Sequence, residues 1–246
     1  MATGKYSLRL RIGRRVLALR PGALLITAAG VALFGVLGQW QLGRAAAQRT
    51  LEQQFAQATG AAHALSSAVD HVPRYQRVEV RGRYDARHQI LLDNITLDGR
   101  VGYYILTPLR RSDGALLLVN RGWVPLGASR GELPPIDVDD GPRTVTGRID
   151  ELPRAGIHLA AVDAGDWPRV MNFPDSREVA AVLGGRVYPQ ILLLDPAAKD
   201  GFQRAWRPPG LGPLRHLAYA VQWFALALTA VILFVVMSLR DPDEPR

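Results

Sequence analysis

The chain has 246 residues, of which 48% are apolar and 21% are charged, so its composition excludes a disordered or fibrous protein. It contains no cysteine, which excludes structural disulfides, thiolate nucleophiles and thiolate metal sites. Its formal net charge is +8, and two long uncharged stretches within it, residues 21–43 and 217–239, exclude a purely soluble enzyme.

The first segment, residues 1–20, is basic and holds no acidic residue. Its charge of +6 comes from Lys5, Arg9, Arg11, Arg14, Arg15 and Arg20. Basic chains can bind nucleic acid, but this surplus lies beside an apolar run, where a membrane explanation is simpler. Because cations next to a membrane span are retained on the cytoplasmic side, we predict a cytoplasmic segment and no nucleic-acid partner.

Residues 21–43 and 217–239 each read as a transmembrane helix. Twenty-three residues at a rise of about 1.5 Å span about 35 Å, enough for a hydrocarbon core of about 30 Å. Neither stretch has the polar stripe of a soluble core helix. With the N-terminus inside, two spans place the tail 240–246 in the cytoplasm and residues 44–216 in the periplasm of a bacterial inner membrane.

The first apolar stretch has a second interpretation. A basic region, an apolar run and the alanines at 45–47 also resemble a cleavable signal peptide. However, the run exceeds the usual length of about 7–15 residues. Trp40 and Arg44 also precede the alanines. The pattern therefore favours a retained span over a cleaved signal.

Residues 44–216 predict an α+β domain. Good helix formers extend the first helix beyond the membrane until Gly60. Asp175 caps a short helix that ends at Gly184. Alternating apolar residues predict strands at 76–84, 88–93, 101–109 (broken at Pro108), 115–124, 143–150 and 188–195. The fold class is thus membrane α+β: two transmembrane helices flanking an antiparallel β-rich extramembrane domain, a curled sheet or open barrel with short helices.

The familiar catalytic motifs are absent from the sequence. It has no dinucleotide-binding glycine motif, no Walker loop, no H-E-x-x-H and no G-x-S-x-G. The absence of cysteine and the three methionines disfavour copper delivery. We therefore predict that the protein is not an enzyme.

His216 stands at the outer edge of the second span. Helical spacing puts it on one face with Tyr219 and Trp223. One interpretation is an interfacial histidine beside an aromatic belt that includes Trp40. The other is an axial ligand to a haem iron, which makes His216 the candidate metal ligand. Arginines near this depth, such as Arg215, suit the haem propionates, although they also serve as membrane anchors.

The run Asn120-Arg121-Gly122-Trp123 follows a predicted strand. Gly122 permits a backbone bend or bulge there. Trp123 is expected to cover the edge of the domain that faces the membrane. A structural role is favoured over ligand contact for these residues.

Several phrases of the sequence stand out: G-Q-W-Q-L-x-R at 38–44, L-D-N at 92–94, G-R-x-G-Y at 99–103, T-P-L at 107–109, V-N-R-G-W-V-P at 119–125 and R-H-x-x-Y-A-x-Q-W-F at 215–224. Together they resemble the Surfeit locus protein 1 family, which consists of assembly factors of haem–copper cytochrome oxidase. The likeness runs from about Gly38 to the end of the second span.

The resemblance implies a respiratory-chain chaperone that assists the binding of haem a and its insertion into the catalytic subunit of cytochrome c oxidase. It implies haem a as a transient cofactor, and as partners that catalytic subunit, the haem a synthase and membrane lipid. The alternative is a membrane-tethered scaffold that stabilises an oxidase subunit without binding haem. The expected haem-binding residues are His216, Tyr219, Trp223, Arg215, Trp40 and Arg44.

Overall fold

The computed structural model describes residues 8–12, 15–58, 60–65, 72–128, 130–154 and 166–240. The chain forms two compact units: a helical unit of Met1–Gln53 with Pro208–Arg246, and a sheet unit of Gln54–Arg207. Its elements are β1 Leu8–Ile12, β2 Arg15–Leu19, α1 Pro21–Gln57, β3 His63–Ala64, β4 Arg77–Tyr84, β5 Ile90–Leu97, β6 Arg100–Arg110, β7 Leu116–Pro125, β8 Pro142–Asp150, β9 Arg169–Met171, α2 Ser176–Leu183, β10 Val187–Leu194, α3 Pro213–Ser238 and β11 Leu239–Arg240.

Both long helices are apolar enough, and long enough, to cross a membrane. Helix α1 continues without interruption to Gln57, which confirms the predicted extension beyond the apolar run. Large apolar side chains such as Ile26 on α1 and Met237 on α3 are exposed. Outward apolar side chains of this kind suit contact with lipid.

Within the helical unit, α1 and α3 pack as an antiparallel pair. The buried residues of α1 recur at intervals of three and four: Gly38, Gln41, Ala45 and Gln48. Phe34 stacks on Trp223, with ring centroids 5.9 Å apart. Four residues further along α1, Gly38 meets the ring of Phe224. Spacing of three and four residues on small side chains is typical of close packing between membrane helices.

Gly38 lies directly against the facing helix. A Cβ atom at this residue would lie 2.7 Å from a ring carbon of Phe224. We expect Gly38→Leu to destabilise the helix pair by about 1–3 kcal/mol, since the ring must swing away or the helices must separate. Thermal unfolding of the full chain in detergent measures the effect.

Gly35 provides the matched control for this substitution. It lies on the same helix, yet a Cβ atom there has no neighbour within 4 Å. Gly35→Leu should therefore melt within a degree or two of wild type. Equal losses from the two variants would contradict the packing described for Gly38.

The helical unit also contains a small three-stranded sheet, in the order β1-β2-β11. Strand β2 precedes α1, strand β11 follows α3, and the two pair antiparallel through Leu17↔Leu239 and Val16↔Arg240. The start of α1 and the end of α3 therefore lie at the same end of the helix pair. Residues 1–20 are predicted from the sequence as a basic cytoplasmic segment without strands. The alternating Leu and Arg of residues 8–12 nevertheless carry the period-two signal of a strand.

The sheet unit is built on one eight-stranded sheet, in the order β3-β4-β8-β10-β7-β6-β5-β9. A further pairing of β4 with β6, through Arg83↔Arg110 and Tyr84↔Leu109, closes five of these strands into a barrel. Buried apolar residues from all five strands form its core, including Val80, Leu117 and Leu192. The curled arrangement predicted from the sequence is present, and its closure goes beyond an open barrel.

The sheet is mixed, so the prediction of an antiparallel sheet is wrong in part. Three pairings are parallel: β10 with β7, β3 with β4 and β5 with β9. The first has a simple cause. Strand β10 inserts between β7 and β8, which run in opposite directions, so it must be parallel to one and antiparallel to the other.

Strand β6 runs through Pro108 unbroken, so the predicted break is also wrong. The carbonyl of Pro108 accepts a hydrogen bond from the Asp85 amide. The proline nitrogen therefore points to the same side, away from β7. The ladder of β5 on that side has already ended at Leu106, its partner for Ile90. The missing N–H costs no ladder hydrogen bond at this position.

Helix α2 follows the sequence prediction closely. Asp175 accepts hydrogen bonds from the amides of Arg177 and Glu178, and the Glu178 carboxylate accepts one from the Asp175 amide. Gly184 ends the helix in the left-handed conformation, with φ of 64°. This reciprocal capping box explains why an eight-residue helix can form at all.

Candidate functional site

The candidate site is centred on a buried polar contact between α1 and α3. His216 and Gln41 are both 9% exposed. The imidazole Nδ1 lies 2.8 Å from Gln41 Oε1. Since an amide oxygen only accepts, Nδ1 carries the proton and donates it. In the neutral ring, the lone pair is then left on Nε2, which is the arrangement that metal-binding histidines use.

The contact lies in a buried seam between α1 and α3, which also contains Ala45, Gln48 and Ala220. Ala45 and Ala220 are each 1% exposed, so small side chains are buried beside the contact. Gln48 Nε2 donates to the carbonyl of Pro209 at 3.2 Å, just before α3 begins. The polar side chains of the seam are thus hydrogen-bonded, and His216 is held in one orientation.

The other predicted site residues lie around this contact at different depths. Trp223 is half-buried and stacks on Phe34. Tyr219 is 47% exposed and Trp40 is 57% exposed. The exposed cations are Arg44 and Arg215. Of the three residues in the predicted stripe, His216 and Trp223 therefore face α1, whereas Tyr219 does not.

Gln41 is the residue that sequence reasoning missed. It lies within the G-Q-W-Q phrase, but the sequence patterns predict no functional role for it. The available signal was its polarity inside an apolar stretch, since polar groups at membrane depth are costly and functional. The spacing within α1 could not show that it meets His216, because the contact joins residues 175 positions apart.

The site offers one imidazole, which suits a molecule that needs a single protein ligand. Among the described residues, no three His, Cys, Asp or Glu side chains come together as a metal site. An oriented imidazole can bind the iron of a haem, which the porphyrin already holds. Arg215 precedes His216 directly, and Arg44 follows Gln41 by three residues on α1. Both arginines carry charge of the sign that suits propionates.

The sequence matches the SURF1 family model over residues 28–228. This match covers most of α1, the first part of α3 and the whole sheet unit. The chain belongs to the SURF1 family. Two bacterial relatives match along most of their length: a SURF1-like protein of Rickettsia conorii, 25% identical over 83% of this chain and 86% of its own, and an uncharacterized SURF1-like protein of Mycobacterium bovis, 27% identical over 89% and 84%.

A third relative matches over a short segment. The SURF1-like protein of Dictyostelium discoideum is 41% identical over 49 residues, which is 20% of this chain and 18% of that protein. The membership of this chain in the SURF1 family thus rests on the family match and the long bacterial alignments.

In this SURF1-family chain, the arginine of the V-N-R-G-W-V-P run is a structural centre of the sheet unit. Arg121 is 3% exposed. Its guanidinium donates to the carbonyls of Asp200, Ile136 and Asp137 at 2.8–3.1 Å and to Gln89 Oε1 at 3.0 Å. Burial lowers the pKa of Arg121 from its ordinary value. These bonds tie two loops to β7 and leave the guanidinium no part in the seam chemistry.

Arg121 and Gly122 of that SURF1 run form a bulge. Between Tyr104↔Trp123 and Leu106↔Asn120, β7 has one residue more than β6. Gly122 has φ of 123°, and a Cβ atom there would lie 2.9 Å from the Gln203 carbonyl oxygen. The predicted bulge is confirmed. Trp123 is 1% exposed, so it is buried inside the sheet unit and does not cover an edge.

Proposed function

We propose that this protein is an assembly factor for haem–copper cytochrome c oxidase, which holds haem a as cargo and assists its insertion into the catalytic subunit. The observation that carries the proposal is the hydrogen bond from His216 Nδ1 to Gln41 Oε1 at 2.8 Å. It fixes the tautomer and the ring orientation that a metal ligand needs. The catalytic subunit and the haem a synthase are the proposed protein partners, and membrane lipid surrounds the helices.

Each residue of the site has a separate part in this proposal. His216 supplies the nitrogen ligand, and Gln41 orients the ring by accepting its Nδ1–H. Arg44 and Arg215 bind the propionates. Trp40, Tyr219 and Trp223 offer aromatic surface for the macrocycle. In this proposal, the haem iron would be the Lewis acid that the His216 imidazole binds. The protein binds and releases haem and catalyses no reaction.

The proposed location is a bacterial inner membrane, with both termini in the cytoplasm and residues 44–216 in the periplasm. The pairing of β2 with β11 supports it, since that pairing holds the two ends of the helix pair together. The six cations of residues 1–20 favour retention of that end on the cytoplasmic side.

The second candidate function is a membrane-tethered scaffold that steadies an oxidase subunit without haem. The low exposure of His216 favours it, because the imidazole and Gln41 already satisfy each other. Hydrogen bonds between membrane helices stabilise a helix pair without any ligand. The two functions differ in whether Nε2 ever binds iron.

Haem binding separates the two functions. The full chain is purified from cells that make haem a, and its Soret absorbance is compared with those of His216→Gln and Gln41→Leu. We expect His216→Gln to lose haem by at least tenfold, because glutamine can still donate to Gln41 but cannot bind iron well. Gln41→Leu should weaken haem binding by about 10–100-fold, which is typical for loss of a group that orients a metal-bound histidine.

The exposed residue His63 provides the control, since it lies in β3 of the sheet unit. His63→Gln should retain wild-type haem content. All variants are accepted only if their thermal unfolding shows a folded chain. Normal haem content in His216→Gln would rule out the proposed ligand, and a colourless wild type would favour the scaffold.

A further inference from the structure

A cleft lined by arginines lies in the sheet unit, where β4 meets β6 and β8. Its volume is about 690 Å³, and it opens to solvent. This lies within the range of about 300–1,000 Å³ typical of ligand sites. The arginine cleft is defined by Arg81, Arg83, Arg110, Arg111 and Arg143.

Carboxylates neutralise two of the five arginines of the cleft. Arg143 forms ion pairs with Asp139 and Asp200. Arg111 pairs with Asp113 at 3.6 Å. These two arginines therefore add little net charge to the cleft.

The other three arginines of the cleft carry an excess of positive charge. Arg81 and Arg83 are exposed on β4. Within the described part of the chain, neither forms an ion pair with a carboxylate. Arg83 Nε donates to the backbone carbonyl of Asp140 at 3.1 Å, which does not neutralise it. Arg110 shares one carboxylate, Asp85, with His88.

The register of the barrel closure brings two of these cations together. Arg83 and Arg110 are directly opposite each other where β4 pairs with β6. Like charges at opposite positions destabilise a sheet. An anion that binds between them removes this repulsion, so the isolated protein is poised for a negatively charged ligand.

The spacing of the excess charges indicates the form of that ligand. Arg81 and Arg83 are alternate residues of one strand, so they share a face and stand about 6.6 Å apart. An extended peptide repeats its side chains on one face at the same interval. Carboxylates two residues apart in such a peptide can each meet one guanidinium, the pairing that arginine geometry favours.

We propose that the arginine cleft is a docking site for an extended acidic segment of a partner protein, with Asp or Glu at alternate positions. Arg81 and Arg83 bind successive carboxylates, and Arg110 adds charge at the barrel closure. This inference goes beyond the proposed function and needs no haem, so either can fail without the other.

Fluorescence anisotropy tests the proposal with the full chain in neutral detergent. The probe is a labelled peptide of alternating glutamate and threonine, and a second peptide has the same composition with its glutamates in one block. We expect the alternating peptide to bind at least fivefold more tightly than the block peptide. Arg81→Gln combined with Arg83→Gln should weaken its binding by at least tenfold.

Two exposed arginines outside the cleft, Arg154 and Arg177, provide the charge-matched control. Arg154→Gln combined with Arg177→Gln should keep the dissociation constant within twofold of wild type. Equal loss in both double variants, or equal binding of the two peptides, would overturn the docking site. Displacement of the peptide by glycerol phosphate at equal concentration would assign the cleft to a phosphate headgroup and would also overturn it.

Discussion

Arg121→Met is expected to lower the free energy of unfolding by about 3–5 kcal/mol, because it removes a buried guanidinium that donates to four acceptors. Methionine fills much of the space but donates no hydrogen bond. The carbonyls of Asp137 and Asp200 then lose the donors that Arg121 supplies at 3.1 and 2.8 Å. Both bonds are part-buried, and the loss of a hydrogen bond to a charged group costs about 1.5–3 kcal/mol.

Part of the Arg121 network survives the substitution, which limits the expected loss. Gln89 Nε2 still donates to the carbonyl of Ile136 at 3.1 Å. Gln89 Oε1 still accepts from the Thr107 hydroxyl at 2.7 Å. Backbone hydrogen bonds of Phe202 and Gln203 also still join the second loop to β7. The damage should therefore be greatest around Asp137 and Asp200, whose carbonyls the guanidinium binds.

Thermal unfolding of the full chain in detergent, followed by tryptophan fluorescence, measures the effect of Arg121→Met. Arg177→Met is the control, because Arg177 is exposed on α2, and it should change stability by less than about 0.5 kcal/mol. If Arg121→Met unfolds at the wild-type temperature, the loops do not depend on this guanidinium.

Trp123→Ala should also cost about 3–5 kcal/mol, the range for removing a large buried aromatic side chain. The indole is 1% exposed. Its Nε1 donates to the Ile95 carbonyl at 3.0 Å, and the guanidinium of Arg100 lies over its ring at 5.4 Å. Gly102 leaves the space that the ring fills, since a Cβ atom there would lie 2.6 Å from it.

Trp123→Phe separates the packing of the indole from its hydrogen bond. Phenylalanine keeps an aromatic ring but leaves the Ile95 carbonyl without its donor, so we expect a loss between those of wild type and Trp123→Ala. Urea unfolding midpoints of the three proteins give the order. If phenylalanine is as harmful as alanine, the hydrogen bond and not the ring volume is what stabilises this position.

Local sequence patterns predicted the elements of the sheet unit better than their pairing. Alternation located β4, β7 and β8 to within a residue or two. Strand β9 has only three residues, Arg169–Met171, which is too short for a period-two pattern to register. The residue pattern of β10 does not indicate which strands lie beside it. Its insertion between β7 and β8 could therefore not be predicted.

The candidate site was predicted from position more than from chemistry. The position of His216 predicts a site residue, because an ionisable residue at the edge of a span is unusual. Helical spacing placed Tyr219 beside it, yet the two differ widely in exposure. The rotation of α3 against α1 decides which residues enter the seam, and that rotation depends on packing with a helix far away in the sequence.

The separation of Gln41 and His216 by 175 residues has a consequence for protein synthesis. A ribosome adds about 5–20 residues per second, so roughly 10–35 s pass between the two. During this interval α1 exists without α3, and the whole sheet unit is made between them. A nascent chain that stalls before α3 therefore lacks His216, and the contact between Gln41 and His216 can form only after α3 has been made.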